Sequence, residues 1–307
     1  MMKKKILAIQ GSSLKKINVE TDTTFFLALE AQKRNYDIYY FEPQDLSFIN
    51  GQVKAKCLQV KFIRNKNKCY KILKKRRFNI SEAKVLLIRN EPPFNQQYIN
   101  STFILEHIGK KVKIINDPKS LREVPEKLFS INLIKYMPST LISEDLVEIK
   151  DFIKKNKKVI IKPIESYSGN DVVLINGFKI KIIKKYLKKY SHVIFQKFLP
   201  KITEGDKRVF IINGKVKGII SRIPKKGSIL SNMSKGASAK KVNISSQEMK
   251  ISKIVSKMLV EKNIYFAGID FIQGKLIGDI NVTSPTGLAT YYNLTGVNLS
   301  EYFWDNI

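Results

Sequence analysis

Tyr265-Phe266-Ala267-Gly268-Ile269-Asp270-Phe271-Ile272-Gln273-Gly274-Lys275-Leu276-Ile277-Gly278-Asp279-Ile280-Asn281-Val282-Thr283-Ser284-Pro285-Thr286-Gly287 is the stretch that decides the fold. Two apolar runs, 265–271 and 275–281, meet at Gln273-Gly274 and predict a β-hairpin. Asp279 and Asn281 are two apart on a strand, so their side chains share a face. Asp270, on the partner strand, can join them. Two carboxylates and an amide oxygen on one face suit Mg²⁺, which favours hard oxygen ligands and completes its shell with water or phosphate oxygens. The competing reading is a pair of solvent-facing acids with no metal, and for Asp-x-Asn alone that blander reading prevails. The small-residue loop 282–287 that follows can meet a substrate.

Working outward, an earlier hairpin is predicted from Arg208–Ile212 and Lys215–Ile223 around Asn213-Gly214, a strong turn signal. A flexible Ser/Lys/Gly stretch is expected over Lys225–Lys240, then a helix over Gln247–Lys262. Further upstream come a helix over Glu126–Ile134 and strands near Val159–Lys162 and Val193–Gln196. This half reads as antiparallel-rich α+β. The first half has another rhythm. Strand Ile6–Ile9 is followed by Asp22-Thr23-Thr24 as a helix cap, a helix Phe25–Asn35, and strands Ile38–Phe41, Val85–Ile88 and Val112–Ile115. Such alternation predicts α/β architecture with a parallel sheet and crossover helices. The division expected is 1–121 and 122–307, the latter split at about 130–198 and 199–307.

The chain has 307 residues and a formal charge of +30. That charge invites a nucleic-acid reading. Yet the lysines are spread through almost every segment, and no module interleaves them with aromatics. The densest cluster, Lys71-Ile72-Leu73-Lys74-Lys75-Arg76-Arg77, reads better as solvated surface. A basic surface also attracts anionic substrates. Cys57 and Cys69 form no CxxC pair and read as free thiols in a reducing compartment. No apolar run approaches the roughly 18–20 residues that cross a bilayer. The N-terminal run Ile6–Ile9 is too short for a signal peptide. A cytoplasmic protein without membrane contact is expected.

Other residues carry chemistry only in combination. Lys127 and Lys162 each stand beside apolar residues and can contact phosphates; taken singly, in so basic a chain, each reads better as an ordinary surface lysine. The polar turn Glu165-Ser166-Tyr167-Ser168-Gly169-Asn170-Asp171 can close over phosphates through its amides. Glu204-Gly205-Asp206-Lys207-Arg208 packs charge at a strand entry, where Arg208 and Arg222 either face an anionic cleft or form salt bridges at hairpin ends.

Together these segments resemble prokaryotic glutathione synthetase, an ATP-grasp ligase family. The most specific match is Asp279-Ile280-Asn281-Val282-Thr283-Ser284-Pro285-Thr286-Gly287. Others, in the same order as in the family, are Leu29-Glu30-Ala31-Gln32-Lys33-Arg34, Glu91-Pro92-Pro93-Phe94, Asn116-Asp117-Pro118-Lys119-Ser120-Leu121-Arg122, Glu126-Lys127-Leu128, Glu204-Gly205-Asp206-Lys207-Arg208 and Ser221-Arg222-Ile223-Pro224. The resemblance implies an ATP-grasp fold preceded by a Rossmann-like N-terminal domain. It also implies joining of γ-glutamylcysteine to glycine with ATP and Mg²⁺ or Mn²⁺, through an acyl phosphate, in a homo-oligomer (dimer or tetramer). Lys127, Lys162, Ser168 and Gly169 would meet the ATP phosphates. Gln196, Lys197, Phe198 and Leu199 would form the adenine-side hinge strand, partly through backbone groups, and Asp206 and Arg208 would line the nucleotide cleft. Asp270, Asp279 and Asn281 would hold metal. Arg89 would grip a peptide carboxylate, with Ser284, Thr286 and Gly287 on the substrate side. Arg222 would sit at the reacting centre, with Arg208 beside it as the second catalytic candidate.

The chain departs from the family at the phosphate loop, where three glycine positions have become Ser166, Ser168 and Asp171. Each is expected to cost about 1 kcal/mol wherever the backbone is left-handed, and a carboxylate at 171 is expected to repel the triphosphate. Asp279 is a methylene shorter than the family's Glu, in a hairpin one residue longer. The family's mobile-loop Arg near Leu230 and the glycines near Gly236-Ala237-Ser238-Ala239 are mostly gone. Rival readings are another ATP-grasp carboxylate–amine ligase with a changed acceptor, a nucleotide-binding relic with weak or no activity, and, on charge alone, a nucleic-acid binder.

Overall fold

The computed structural model describes residues 5–307. The first part of the chain forms β1 (Lys5–Gly11), α1 (Thr23–Lys33), β2 (Tyr36–Phe41), β3 (Leu46–Ile49), β4 (Gln52–Phe62), β5 (Tyr70–Asn79), β6 (Val85–Arg89), α2 (Gln96–Leu105), β7 (Lys113–Ile115) and α3 (Pro118–Glu123). Strands β2, β1, β6 and β7 lie parallel in that order, as the βα alternation predicts. β3, β4 and β5, which the sequence pattern does not predict, extend the sheet antiparallel to seven strands. Helix α1 starts two residues earlier than expected. Asp22 caps it, its carboxylate accepting from the Phe25 amide. Both faces of the sheet are covered, so its central strands are buried throughout: Leu7, Ile9 and Leu87 pack under α1, and Ala8, Leu86 and Ile88 under Tyr98 of α2.

The predicted helix over Glu126–Ile134 is instead a turn followed by a 3-10 helix, Phe129–Tyr136. Phe129, Ser130 and Leu133 are buried while Ile131 and Ile134 are exposed. The inward step from Ser130 to Leu133 is the three-residue repeat of a 3-10 turn rather than 3.6.

A four-stranded sheet follows, from β8 (Thr140–Ser143), α4 (Leu146–Asn156), β9 (Lys158–Pro163), β10 (Val173–Asn176), α5 (Ile180–Tyr190) and β11 (Val193–Lys197), in the order β10-β9-β11-β8. Its apolar residues, among them Ile149, Ile153, Val159, Ile161 and Phe195, form a core of their own. This sheet is therefore a separately packed unit over the cleft.

The remainder forms β12 (Asp206–Ile212), β13 (Lys215–Ile223), β14 (Ser238–Lys241), α6 (Ser246–Glu261), β15 (Phe266–Ile272), β16 (Lys275–Asn281), α7 (Leu288–Thr295) and α8 (Leu299–Asp305). The antiparallel order is β14-β13-β12-β15-β16. Both predicted hairpins form. Asn213 and Gly214 at one turn, and Gln273 and Gly274 at the other, all have positive φ, as a type I′ turn requires. The stretch 225–240, expected to be flexible, contains the 3-10 turn Met233–Lys235 and the start of β14. This sheet shares one buried cluster with the N-terminal sheet, joining Leu86 and Ile88 to Val209, Ile269 and Ile280. Trp304 of α8 donates to the Leu27 carbonyl of α1 at 2.9 Å. Among the described residues no helix is long and apolar enough to cross a membrane.

Candidate active site

The three sheets enclose a cavity of about 590 Å³. The residues that the family resemblance assigns to ATP, substrate and metal line it: Lys127, Lys162, Ser168, Gly169, Gln196, Lys197, Phe198, Leu199, Asp206, Arg208, Arg222, Arg89, Asp270, Asp279, Asn281, Ser284, Thr286 and Gly287. They come from eight separate stretches of chain, and the fold brings them to one space.

At its base is a buried chain of alternating charges. Arg208 holds Asp270 with two bonds, Nε to Oδ1 at 2.8 Å and Nη2 to Oδ2 at 2.7 Å. Arg222 reaches the same Oδ2 at 2.9 Å and pairs with Asp206 through Nε at 2.8 Å. β12 carries Asp206 and Arg208, β13 carries Arg222 and β15 carries Asp270. The register sets Asp206 opposite Arg222 and Arg208 opposite Asp270. Burial pushes the Asp270 carboxyl up, but Arg208 and Arg222 outweigh it and hold the group below the ordinary carboxylate range. Burial alone would lower Arg222, but Asp206 and Asp270 overcome it and keep the guanidinium charged.

Between β15 and β16 the ladder is irregular, and Asp270 faces the three residues 277–279. Gly278 sits in this bulge at φ +90, where a Cβ would stand 2.9 Å from Met137 Cε. The bulge presents the short Asp279 side chain to the cleft and exposes the Ile277 carbonyl, which accepts from Lys162 Nζ at 2.6 Å. Lys162 is buried, which lowers its pKa; Asp279 raises it and Lys127 lowers it, and the balance lies below the usual lysine value. Lys127 Nζ donates to the Ile164 carbonyl at 3.2 Å and to that of Ser166. Lys127 is thus anchored at the turn after β9 and Lys162 at the β16 bulge beside Asp279, and both line the one cavity.

The donor set fits a hard cation. Among the described residues the Asp279 carboxylate makes no hydrogen bond or ion pair. Asn281 donates its amide to Gly268 O at 3.0 Å and to Asp270 Oδ2 at 3.3 Å, which leaves its oxygen as the acceptor. Asp270 would share its oxygens with two guanidinium groups. Among the described residues no cluster of three or more His, Cys, Asp or Glu forms a protein-only metal cage. A cation here therefore needs phosphate or water oxygens, as Mg²⁺ commonly does.

At the opposite end, burial pushes Arg89 down to about 10, with Asp22 acting against the fall. Its Nε donates to Thr24 Oγ1 at 3.1 Å and its Nη2 to the Pro285 carbonyl at 2.9 Å. Nη1 has no partner among the described residues and is available to a carboxylate. Asp22, Thr23 and Thr24, predicted only as a helix cap, also line the cavity. Thr23 Oγ1 accepts from the Gly287 amide at 3.0 Å. The signal for their role was already present, since a helix that starts after a parallel strand aims its free amides at the strands' carboxyl ends. Along the hinge, the Lys197 and Phe198 amides donate to Ser139 O and Lys158 O at 2.8 and 3.0 Å. The Leu199 amide is the one without an acceptor among the described residues.

The phosphate loop corrects one expectation. Ser168 and Asp171 do take positive φ, 53 and 55; Ser166 does not. The Asp171 carboxylate, however, does not face the cavity. It turns outward to Lys189 Nζ at 3.1 Å and to the Tyr190 hydroxyl, which hold it below its usual pKa, Tyr190 most strongly. It ties the loop to α5 instead of repelling an anion. Gly169 remains glycine where the segment 230–232 packs on it, and a Cβ there would lie 2.5 Å from Asn232 Oδ1.

Two family models match the chain: the prokaryotic glutathione synthetase N-terminal domain over residues 6–122 and the prokaryotic glutathione synthetase ATP-grasp domain over residues 126–296. Similar proteins include glutathione synthetase of Bradyrhizobium diazoefficiens, 35% identical with 98% of this chain and 97% of the relative covered, and that of Buchnera aphidicola subsp. Acyrthosiphon pisum, 35% identical with 100% and 98% covered. Among solved structures, a D-cycloserine synthetase superposes with TM-score 0.66 at 10% identity (98% and 99% covered). The D-alanyl-alanine synthetase A of Vibrio cholerae superposes with TM-score 0.64 at 13% identity (99% and 97% covered). At such identities these two show the ATP-grasp fold alone. Matched across both of its domains and along nearly its whole length, the chain belongs to the prokaryotic glutathione synthetase family of ATP-grasp ligases.

Proposed function

We propose that the protein joins γ-glutamylcysteine to glycine, converting ATP to ADP and phosphate, in the cytoplasm. The observation that carries this reading is the convergence of Lys127 and Lys162 with Asp270, Asp279 and Asn281 on one cavity. Each half alone has an ordinary explanation; together they make a site for a triphosphate and its cation. Residues 1–121 and 122–307 would act as separate domains, the second split at about 130–198 and 199–307.

The peptide carboxylate attacks the γ-phosphorus of ATP and ADP departs, leaving an acyl phosphate. The two ammonium groups offset the charge that keeps anions apart and hold them in line. Asp279, Asn281 and a shared Asp270 would hold Mg²⁺ or Mn²⁺, which supplies Lewis-acid neutralisation of the phosphate oxygens. Arg89 holds a remote carboxylate of the peptide through its unengaged Nη1. Arg222, fixed by Asp206 and Asp270, stabilises the charge that develops when glycine's amine attacks the acyl carbon and phosphate leaves. The separately packed sheet of β8–β11 and the segment 228–236 close over the cleft and exclude water from the acyl phosphate.

The test is incubation with MgATP, γ-glutamylcysteine and glycine, with glutathione and ADP measured together. Equal, glycine-dependent formation of both is expected. ADP formed only with a different amine would establish a changed acceptor, and ATP binding without turnover would establish a relic. Tight, salt-sensitive RNA binding without ATP binding would overturn the reading altogether.

A further inference from the structure

Glu126 precedes Lys127 and has a different task. Its Oε1 accepts three hydrogen bonds: from the Val282 amide at 2.9 Å, the Thr283 amide at 3.1 Å and Thr283 Oγ1 at 2.7 Å. Its carbonyl accepts from the Ile280 amide at 3.0 Å. The backbone on both sides of Asn281, just past Asp279, is thus held by one residue. Asn116 braces the same segment from the other side. Its Nδ2 donates to Val282 O at 2.7 Å and Phe266 O at 2.8 Å, and its Oδ1 accepts from the Tyr265 and Phe266 amides at 3.0 and 2.9 Å. All four hydrogen-bonding positions of this buried amide are used.

We propose that Glu126, braced by Asn116, is a positioning residue that sets Asp279 and Asn281 relative to Lys127, so that the cation and the phosphate-binding ammonium keep a fixed separation. Three features of the site support this role. β16 needs an external clamp, because the bulge at Gly278 frees it from the β15 ladder over the residues that include Asp279. Three donors converging on one carboxylate oxygen make a stiff clamp, since hydrogen bonds to an ionised acceptor are about twice as strong as neutral ones. The clamp is also adjacent in sequence to Lys127, whose ammonium meets the phosphate loop, so a shift of Glu126 moves cation site and ammonium apart. The proposal rests on the metal-dependent ligase reading above.

The test uses Mn²⁺ as probe, with electron paramagnetic resonance following free Mn²⁺ titrated into the full chain with ADP. Glu126→Ala is expected to weaken Mn²⁺ binding roughly tenfold or more, the range seen when groups that orient metal ligands are removed. Glu126→Gln, which keeps an acceptor oxygen without the charge, should fall between it and the parent. Thr283→Val deletes a single donor and should weaken binding least. The half-saturating Mg²⁺ for ligation should rise by the same factors while the KM for glycine stays constant, a split that general loosening would not give. A Glu126→Ala protein that melts like the parent and binds Mn²⁺ as tightly would overturn the proposal. Should that variant not fold, unchanged Mn²⁺ binding by Thr283→Val would overturn it equally. Failure of the parent itself to bind Mn²⁺ with ADP would sink the metal-dependent reading and this proposal with it. A binding parent with unchanged variants sinks only the positioning role.

Discussion

The β4–β5 hairpin and the cleft are both dense in cations, and they handle them in opposite ways. From Leu46 to Ser81 the chain has eleven lysines and arginines and no aspartate or glutamate. Most of these side chains face solvent, and the register sets Lys61 opposite Lys71 and Lys56 opposite Arg77. The ion pairs recorded there, Lys66 with Glu20 at 3.5 Å and Arg76 with Glu82 at 3.9 Å, are exposed or loose. In the cleft, Arg89, Arg208, Arg222 and Lys162 are buried, and each is fixed by named acceptors. Water and salt screen the first group, so its charge costs little and does little. The second group is desolvated, so every unmatched charge would be expensive. The net charge of +30 is therefore a poor guide to function. Where the charge is buried, and against what, is the informative quantity.

The sharpest way to break this contrast is Arg222→Met. Removing one member of a buried ion-pair chain leaves Asp206 without its bidentate partner. A loss of about 3–5 kcal/mol in unfolding free energy is expected, with ligation abolished. Urea denaturation measures it. A loss as small as a surface lysine substitution gives would mean that the cleft cations are no more committed than those of the hairpin.

Lys162→Met separates catalysis from stability. Loss of a preorganised cation at the phosphates should cut kcat/KM about 10²–10³-fold. Stability responds differently because the Lys162 pKa is lowered in the fold. Between its folded value and the ordinary 10.5, the unfolded chain carries the proton and the folded one does not, so stability rises with pH across that window. The stability of the parent relative to the variant should therefore increase as pH is raised toward 10.5. A flat difference would show that the ammonium is not desolvated.

Most of the cleft was legible in the sequence because its residues sit in short motifs whose order survives. That Asp270, Asp279 and Asn281 meet beside one hairpin followed from two-residue strand periodicity and a turn signal; their reading as metal ligands prevailed only through the family resemblance. What escaped was non-local. β4 alternates over Val53, Ala55 and Cys57 and then buries Val60 and Phe62, but half of β5 is lysine and arginine and it fully buries only Phe78, so its strand pattern is hidden. The direction of the Asp171 carboxylate depends on Lys189 and Tyr190, which lie a helix away. The helix expected over 126–134 failed because Glu126 serves the end of β16 and the loop after it, residues 280–283, a tertiary demand that local propensity does not register.

Gly278→Ala probes the bulge between these regimes. An alanine at φ +90 costs about 1–2 kcal/mol, and its methyl would press on Met137. The expected result is a modest fall in melting temperature with a larger rise in half-saturating Mg²⁺, because the strained segment carries Asp279. A fall in melting temperature alone would mean that the bulge serves packing and not the cleft.

The smallest effect belongs to the hairpin, and its sign is the informative part. Lys71→Glu turns a like-charge cross-strand pair with Lys61 into an opposite-charge one. Cross-strand charge pairs are worth about 0.2–1 kcal/mol, so the variant should be slightly more stable than the parent at low salt, with the gain fading as ionic strength rises. Ligation at saturating substrate should not change, because neither lysine lines the cavity. A variant that lost activity, or whose gain persisted in high salt, would mean that the hairpin cations act on the cleft or on a partner, and the division between screened and committed charge would fail at its weakest member.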